Sequence, residues 1–193
     1  MHPSTADQLS AFAPATTAEI WQAHLDRVLP SPDDQAFLAR VFGYGMLGAP
    51  QGKVRVICVG SGPSGKTTTL QAIRRTLGSY AGMTERGALR VSRNDKSTVH
   101  FTEHNSLPFG RARARIGLRT LVLPFDAVIT EAERDRARVI GLADQCGEAI
   151  LNWVMEGVGD YIIRGDLAPP PNVARFTQSY LDALAAPRRA RAA

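Results

Sequence analysis

Eight residues that follow a short apolar segment have the types and the spacing of a phosphate-binding loop (P-loop). The segment GSGPSGKT fits the pattern G-x-x-x-x-G-K-[ST], with Lys66 and Thr67 in the last two positions. In such a loop, glycines let backbone N–H groups surround a triphosphate, the lysine reaches the β- and γ-phosphates, and the hydroxyl binds Mg²⁺. The motif therefore predicts a site for ATP and Mg²⁺. The expected nucleotide-binding residues are Gly60, Ser61, Gly62, Pro63, Ser64, Gly65, Lys66, Thr67 and Thr68, with Lys66 also catalytic and Thr67 also a metal ligand.

The segments on either side of this motif are those that a P-loop needs. Upstream, KVRVICVG is a β-branched, mostly apolar run of the kind expected for a buried parallel strand. Downstream, KTTTLQAIRRTLG places Leu70, Ile73 and Leu77 on one helical face. The order of strand, glycine-rich turn and helix predicts an α/β fold, with the loop at a helix N-terminus whose dipole attracts anions.

Helices are expected before this core. Apolar residues recur at helical spacing between Ile20 and Val28, and a second helix is expected to have Ser31 as its N-cap and Pro32 in its first position. The lone His24 in the first helix is expected to be structural or solvent-facing. Three glycines are expected to loosen the end of the second helix, namely Gly43, Gly45 and Gly48.

After the P-loop helix, the polar, glycine-bearing stretch 79–96 is expected to be a loop or a short excursion of the chain. Alternation through Val99 and Phe101 predicts a strand that ends at Glu103, and a further core strand is expected to close at Pro124. The pattern over 131–164 is helical, and a proline break precedes a final helix. We divide the chain into a flexible lead-in (1–17), a helical N-terminal segment (18–50), a P-loop ATPase core (51–130) and a C-terminal helical subdomain with a basic tail (131–193).

Positive charge is concentrated around the P-loop. Residues 1–50 carry 2 basic and 5 acidic residues, residues 51–125 carry 13 and 3, and residues 126–193 carry 8 and 10. A net charge of +10 on the middle segment indicates a polyanionic partner, with nucleic acid as the first candidate and the phosphates of a bound nucleotide as a partial alternative. If the arginines reflected only a general enrichment in arginine, they would be distributed more evenly along the chain.

Composition and cysteine content point to a cytoplasmic protein. The 193 residues fit one ordinary domain with small appendages, and no apolar run approaches the roughly 20 residues of a membrane span. We expect no membrane partner. Cys58 and Cys146 have neither the number for a disulfide framework nor the spacing of metal ligands, so both are expected to be small buried hydrophobes in a reducing compartment.

Several segments together resemble a known family. The order IWQAHLDRVLP, FLARVFGYGMLG and VICVGSGPSGKTTTLQAIRRTLGSYA closely resembles the helicase region of the phage and plasmid primase-helicase family, within the superfamily 3 helicases. GLRTLVLPFD resembles that family's arginine-rich entry to a strand ending in PFD, and AILNWVMEGVGDYIIRGDLAPPPNV resembles its closing helical subdomain. The resemblance covers roughly residues 18–185 but is incomplete in the middle, where only 52 residues separate Lys66 from Arg119.

The resemblance implies a P-loop NTPase core of the AAA+-like type, with N-terminal and C-terminal helical segments. It also implies an ATP-dependent DNA helicase or translocase of phage or plasmid replication. Such a protein forms a ring, expected here to be a hexamer, on single-stranded DNA. A primase or another replication protein would be a further partner.

Three further site residues follow from the resemblance. Glu103 resembles the acidic end of the family's Walker B strand, which holds Mg²⁺ and orients water. The same segment, FTEHNSLP, resembles its sensor strand with Asn105 as the polar contact, so that one strand would replace two. Arg119 resembles the arginine finger that reaches the γ-phosphate of a neighbouring subunit. Glu103 could instead be a surface glutamate at a strand end, with the less suitable Asp95 as the acid. Arg119 could instead be a phosphate or DNA contact, or a solvated charge.

Three functions are compatible with these features. The first is an ATP-driven helicase or translocase. The second is a shortened relative that binds ATP and either DNA or a full-length partner, without productive hydrolysis, as a structural or regulatory subunit. The third is a small-molecule kinase whose lid would be the basic run 111–119, although the C-terminal helical match argues against it. The short segment between Lys66 and Arg119 is the sequence feature that distinguishes the first function from the second.

Overall fold

A five-stranded mixed sheet lies between two layers of helices. The computed structural model describes residues 16–47, 52–83, 89–93, 96–104, 118–133 and 136–185. The strands are β1 (Lys53–Val59), β2 (Ala81–Met83), β3 (Leu89–Arg93), β4 (Lys96–His104) and β5 (Leu118–Pro124). The helices are α1 (Thr17–Val28), α2 (Pro32–Met46), α3 (Lys66–Leu77), α4 (Arg136–Arg164) and α5 (Pro171–Ala185), with short 3-10 helices at Gly78–Tyr80 and Glu131–Glu133.

The strand order is β2-β3-β4-β1-β5. Strand β1 is parallel to both of its neighbours, β4 and β5, whereas β2 and β3 extend the sheet in antiparallel fashion. The carboxyl ends of the three parallel strands therefore lie together, at the edge where β1 leads into α3. The predicted α/β class is confirmed.

Side chains of β1 alternate between the two faces of the sheet. Val56 and Cys58 belong to the larger hydrophobic cluster, to which helices α1 to α4 contribute. Ile57 and Val59 instead pack with Tyr180 of α5 in a second cluster. Because both faces are covered, the strand is apolar almost throughout, as its sequence predicts.

The two N-terminal helices begin as expected. The side chain of Thr16 accepts a hydrogen bond from the backbone N–H of Glu19, whose carboxylate accepts one from the backbone of Thr16, which is a complete capping box. In α2 the hydroxyl of Ser31 accepts from the backbone N–H of Asp34, and Pro32 is the first helical residue. The cap predicted at Ser31 is confirmed, and the capping box at Thr16 was not predicted from the sequence.

Two of the glycines expected to loosen the end of α2 lie within the helix, and one of them, Gly43, has another role. Gly43 and Gly45 lie inside the helix and are buried, while Gly48 is outside the described residues. A Cβ on Gly43 would lie 2.3 Å from the backbone nitrogen of Val158, and one on Gly157 only 2.1 Å from the carbonyl oxygen of Ala39. The expectation was wrong because glycine here lets the backbones of α2 and α4 approach closely.

The stretch 79–96 is not the simple loop that its composition indicates. Strand β2 pairs with β3, and β3 pairs with β4, with Val91 opposite Val99. Polar residues and glycines weaken the local signal for a strand, but β4 offers an edge to which β3 can add. Pairing between separate segments therefore decides the structure here, and the loop prediction was wrong.

The C-terminal helices follow the sequence prediction. Within α4 a continuous apolar face is buried through Leu142, Cys146, Ile150 and Val154. Both cysteines of the chain are free and buried, as expected. Over the described residues, no helix combines the length and the apolar character needed to cross a membrane.

Candidate nucleotide-binding site

The loop between β1 and α3 has a backbone that requires glycine. Gly62 and Gly65 have φ values of 63° and 84°, in the left-handed region that other residues rarely adopt. A Cβ on Gly65 would lie 2.3 Å from Cγ1 of Val28, and one on Gly60 would lie 2.2 Å from the carbonyl oxygen of Phe125. The motif glycines thus permit both the turn and the close contact of the loop with α1 and with the end of β5.

Lys66 is the first residue of α3, and its ammonium group lies inside the loop. Nζ donates hydrogen bonds to the carbonyl oxygens of Gly60 (2.8 Å) and Gly62 (3.3 Å) and to the hydroxyl oxygen of Ser64 (2.9 Å). The residue is 5% exposed. Burial lowers the pKa of Lys66, an effect that the carboxylate of Glu103 opposes. The cation is held where phosphate oxygens could replace the loop oxygens as acceptors.

Thr67 and Glu103 meet beside the loop. The hydroxyl of Thr67, which is exposed, donates a hydrogen bond to Oε2 of Glu103. Strand register explains the contact, because Glu103 pairs with Cys58, two residues before the loop begins at Gly60. The metal ligand and the acid expected from the sequence are therefore adjacent.

This pair suits Mg²⁺ better than a metal that needs a protein cage. Mg²⁺ prefers oxygen ligands and usually takes one or two carboxylates together with substrate phosphates and water. Within the described part of the chain, no group of three or more His, Cys, Asp or Glu side chains could hold a metal ion. One carboxylate and one hydroxyl leave the remaining positions to phosphate and water.

A buried hydrogen-bond chain beneath the loop was not anticipated from the sequence. The hydroxyl of Thr69 donates to the carbonyl oxygen of Gly65 (2.9 Å) and lies 2.9 Å from Nε2 of His24. Because Thr69 has one hydroxyl hydrogen, the His24 nitrogen is the donor in the second contact. His24, which is 7% exposed, also stacks on Trp21. His24 is thus structural, as expected, and it supports the end of the loop.

The segment after β5 contacts the other side of the loop. The backbone N–H of Ile129 donates to the carbonyl oxygen of Pro63 (2.8 Å). Arg27 of α1 holds that segment, donating to the carbonyl oxygen of Val128 (2.6 Å) and, through two nitrogens, to Glu133 (2.9 and 3.0 Å). Helix α1 therefore fixes the loop from two directions.

Arg119 is the predicted residue that the structure does not bring to the loop. It pairs with Val54, near the start of β1, and is thus six residues from Gly60, or roughly 20 Å along a strand. Its guanidinium instead donates to Asp166 at 2.9 Å. Within one chain Arg119 cannot reach a nucleotide at the P-loop.

The other predicted positions differ in exposure. Ser61 and Pro63 are exposed, Ser64 is buried, and Thr68 is half-buried. Asn105 and Asp95 lie outside the described residues, as do the first three arginines of the basic run, Arg111, Arg113 and Arg115.

The sequence matches no protein-family model, and neither a curated protein nor a solved structure matches it significantly. The functional interpretation therefore depends on the residues around the loop.

Proposed function

We propose that this chain is a P-loop NTPase of the AAA+-like type that binds ATP with Mg²⁺ and acts on single-stranded DNA, like the superfamily 3 helicases that it resembles. The hydrogen bond from Thr67 to Glu103 carries the proposal. A chance glycine-rich turn has no reason to place a carboxylate beside the motif hydroxyl, whereas a nucleotide site needs both groups there.

Each residue has a distinct role in this proposal. Lys66 exchanges its loop acceptors for the oxygens of the β- and γ-phosphates, and the N-terminus of α3 faces the same phosphates. Thr67 and Glu103 hold Mg²⁺, which supplies neutralisation of the phosphate charge when it is bound. Glu103 also accepts a hydrogen bond from the attacking water and so orients it.

Arg119 is proposed to act on the nucleotide of a neighbouring subunit. Its position, roughly 20 Å from the loop of its own chain, agrees with a role that exists only in an oligomer. An arginine supplied in trans typically contributes about 10³ to 10⁵ in rate. Isolated subunits would then turn over very slowly, and a ring, proposed to be hexameric, would turn over faster.

The alternative is a nucleotide-binding subunit without productive hydrolysis. It is favoured by the short middle segment, in which the 52 residues between Lys66 and Arg119 leave β4 as the only described strand parallel to β1 on that side. In that case Lys66 and Thr67 hold ATP, and the chain works as a structural or regulatory partner of DNA or of a full-length relative.

ATP turnover measured against protein concentration, with and without single-stranded DNA, distinguishes the two. We expect cooperative, DNA-stimulated turnover that Glu103→Gln and Arg119→Ala each abolish. Glu148→Gln removes a matched carboxylate from the exposed side of α4 and should leave turnover unchanged. A wild type that binds ATP but is inactive at every concentration would support the alternative, and a wild type that does not bind ATP would exclude both.

A further inference from the structure

A cavity of about 240 Å³ opens at the end of the sheet opposite to the P-loop. Lys53 and Arg119 line it from the starts of β1 and β5, Tyr44 from α2, and Tyr161 and Asp166 from the end of α4 and the turn after it. None of these residues belongs to the loop or contacts it. The cavity is therefore separate from the candidate ATP site.

One wall of the cavity is aromatic. The rings of Tyr44 and Tyr161 lie with their centroids 5.0 Å apart. Tyr44 is buried and its hydroxyl donates to the carbonyl oxygen of Gly52 (2.5 Å), so its position is fixed. Tyr161 is only half-buried, and its ring is the more accessible of the two. A planar, unsaturated group entering the cavity could stack there.

The mouth of the cavity carries two cations and one anion. Lys53 is exposed, and Arg119 is paired with Asp166 at 2.9 Å, with side chains that are 48% and 57% exposed. An ion pair this exposed contributes little to stability, so a guanidinium can exchange the carboxylate for a phosphate at small cost. Arginine binds phosphate well because its planar donors match two phosphate oxygens.

The walls are held by a buried arginine. Arg40 donates to the carbonyl oxygens of Leu167 (2.9 Å) and Ala168 (3.1 Å) and forms an ion pair with Asp160. These contacts fix the turn that follows α4 against α2. The cavity is thus shaped before any ligand arrives, which lowers the entropic cost of binding.

We propose that this cavity binds one nucleotide unit, with the base against Tyr161 and the phosphate at Lys53 and Arg119. Aromatic stacking beside cationic side chains is the general means by which proteins hold single-stranded nucleic acid. The cavity is smaller than the roughly 300 to 1,000 Å³ of sites for drug-sized ligands, so it suits one unit and not a dinucleotide cofactor. The unit could be a free mononucleotide or part of a DNA strand.

This site does not require ATP binding or hydrolysis at the P-loop. Arg119 would act in its own chain here, in contrast to its proposed action in trans. The test therefore uses Lys53 and Tyr161, and leaves Arg119 intact.

Two-dimensional NMR of the amide-labelled chain measures ligand binding at the cavity itself. The chain carries Lys66→Ala, which weakens phosphate binding at the P-loop. Gly52 and Gly165 line the cavity, and their amide signals report on its occupancy. The probes are thymidine monophosphate, the dinucleotide dTpdT, an oligonucleotide of eight thymidines and inorganic phosphate. We expect the nucleotide probes to shift both signals at saturable concentrations.

Two variants test separately how much the base and the phosphate contribute to binding. Tyr161→Leu should weaken binding at least about fivefold, since stacking on an aromatic ring contributes about 1 to 3 kcal/mol per base. Lys53→Gln should also weaken it, whereas Arg75→Gln, which removes one exposed charge from α3, should not. Thermal melting of each variant checks that it is folded, and Lys53→Gln changes only an exposed side chain.

The outcomes separate the sources of the ligand. Equal affinity per site for the monophosphate and the oligonucleotide identifies a free nucleotide, and binding of the oligonucleotide alone identifies a DNA strand. The proposal is overturned if no probe shifts Gly52 and Gly165, or if inorganic phosphate binds as tightly as the monophosphate. Equal weakening by Arg75→Gln and Lys53→Gln would also overturn it, because it would indicate diffuse electrostatic attraction.

Discussion

Thr67 and Glu103, which are 36 residues apart in the chain, share a hydrogen bond at the mouth of the P-loop. The threonine is the donor, so its oxygen keeps lone pairs for a metal ion. The glutamate approaches from β4, a neighbour of β1 in the sheet. Helix α3 and strand β4 thus supply the two oxygen groups of the proposed Mg²⁺ site separately, and neither element alone would bring them together.

Replacement of Lys66 by alanine should weaken ATP binding about 10- to 150-fold. Hydrogen bonds that involve a charged group contribute about 1.5 to 3 kcal/mol, and the phosphates would lose theirs to the ammonium group. Titration calorimetry in magnesium buffer measures the affinity. Arg75→Gln removes a positive charge from the other end of α3 and should leave the affinity unchanged; equal losses in the two variants would contradict a specific role for Lys66.

Thr69→Val should destabilise the protein by about 1 to 3 kcal/mol. The substitution keeps the shape of the side chain but removes the buried hydroxyl that lies 2.9 Å from Nε2 of His24 and donates to the carbonyl oxygen of Gly65. Urea unfolding measures the change. Thr76→Val is the matched control in the same helix, because the buried hydroxyl of Thr76 has no hydrogen-bond partner among the described residues, and its loss should be neutral or stabilising.

Gly157→Ala should lower the unfolding free energy by about 1 to 3 kcal/mol or more. The new Cβ would lie 2.1 Å from the carbonyl oxygen of Ala39, so α2 and α4 would have to separate, and such overpacking typically costs about 1 to 3 kcal/mol or more. Gly159→Ala, two residues along the same helix, meets nothing within 4 Å and should stabilise by up to about 1 kcal/mol. Thermal melting that ranks these two variants in the opposite order would contradict the close approach of the helices.

The pair of Arg27 and Glu133 should make stability depend on pH in the acid range. Hydrogen bonds from Arg27 lower the pKa of Glu133 from 4.5 to about 2, with further help from Thr130. A lowered carboxyl pKa stabilises the folded state above pH 4.5, and this contribution is lost as the pH falls towards 2. The stability difference between wild type and Glu133→Gln should therefore shrink below pH 4.5. Urea unfolding of the two proteins at several pH values measures this difference, and a difference that does not change with pH would contradict the role of Glu133.

We expect the basic run 111–119 to contact the phosphates of single-stranded DNA, so binding should weaken as the salt concentration rises. Each phosphate contact contributes a slope of about −0.7 in log K against log salt, so replacing Arg111, Arg113 and Arg115 together should flatten the slope by about 2. Replacement of the three arginines in the tail 188–191 removes the same charge and is the control. Fluorescence anisotropy of a labelled oligonucleotide measures the affinities. An affinity that does not change with salt concentration would exclude contacts between the basic run and the DNA phosphates.

Local patterns were sufficient to predict most of the elements and the residues of the loop itself. Gly62 and Gly65 are recognisable because the motif fixes where the backbone must adopt positive φ, and Ser31 because a cap acts within one turn. What escaped prediction depends on contacts between distant segments. The pairing of β3 with β4 and the approach of Gly157 to Ala39 leave no local periodicity to detect.

The same limit applies around the candidate site. His24 has the appearance of an isolated residue in the sequence, and only the packing of α1 under the loop brings it to Thr69. Arg119 was expected, from a resemblance, to reach the nucleotide of a neighbouring subunit, and strand register places it far from the loop of its own chain. Residue types indicate which chemistry is possible, but tertiary packing decides which groups lie together.

The hydroxyl of Thr177 in α5 accepts a hydrogen bond from the backbone N–H of Val122 (2.9 Å), in the middle of the outermost strand β5. A strand whose outward N–H is already bonded to a helix cannot recruit another strand at that point. At the other margin of the sheet, β2 is only three residues long. Both margins of the described sheet therefore offer little free edge to a second copy, and we expect copies of this chain to join through helices and loops and not by continuing one sheet into the next.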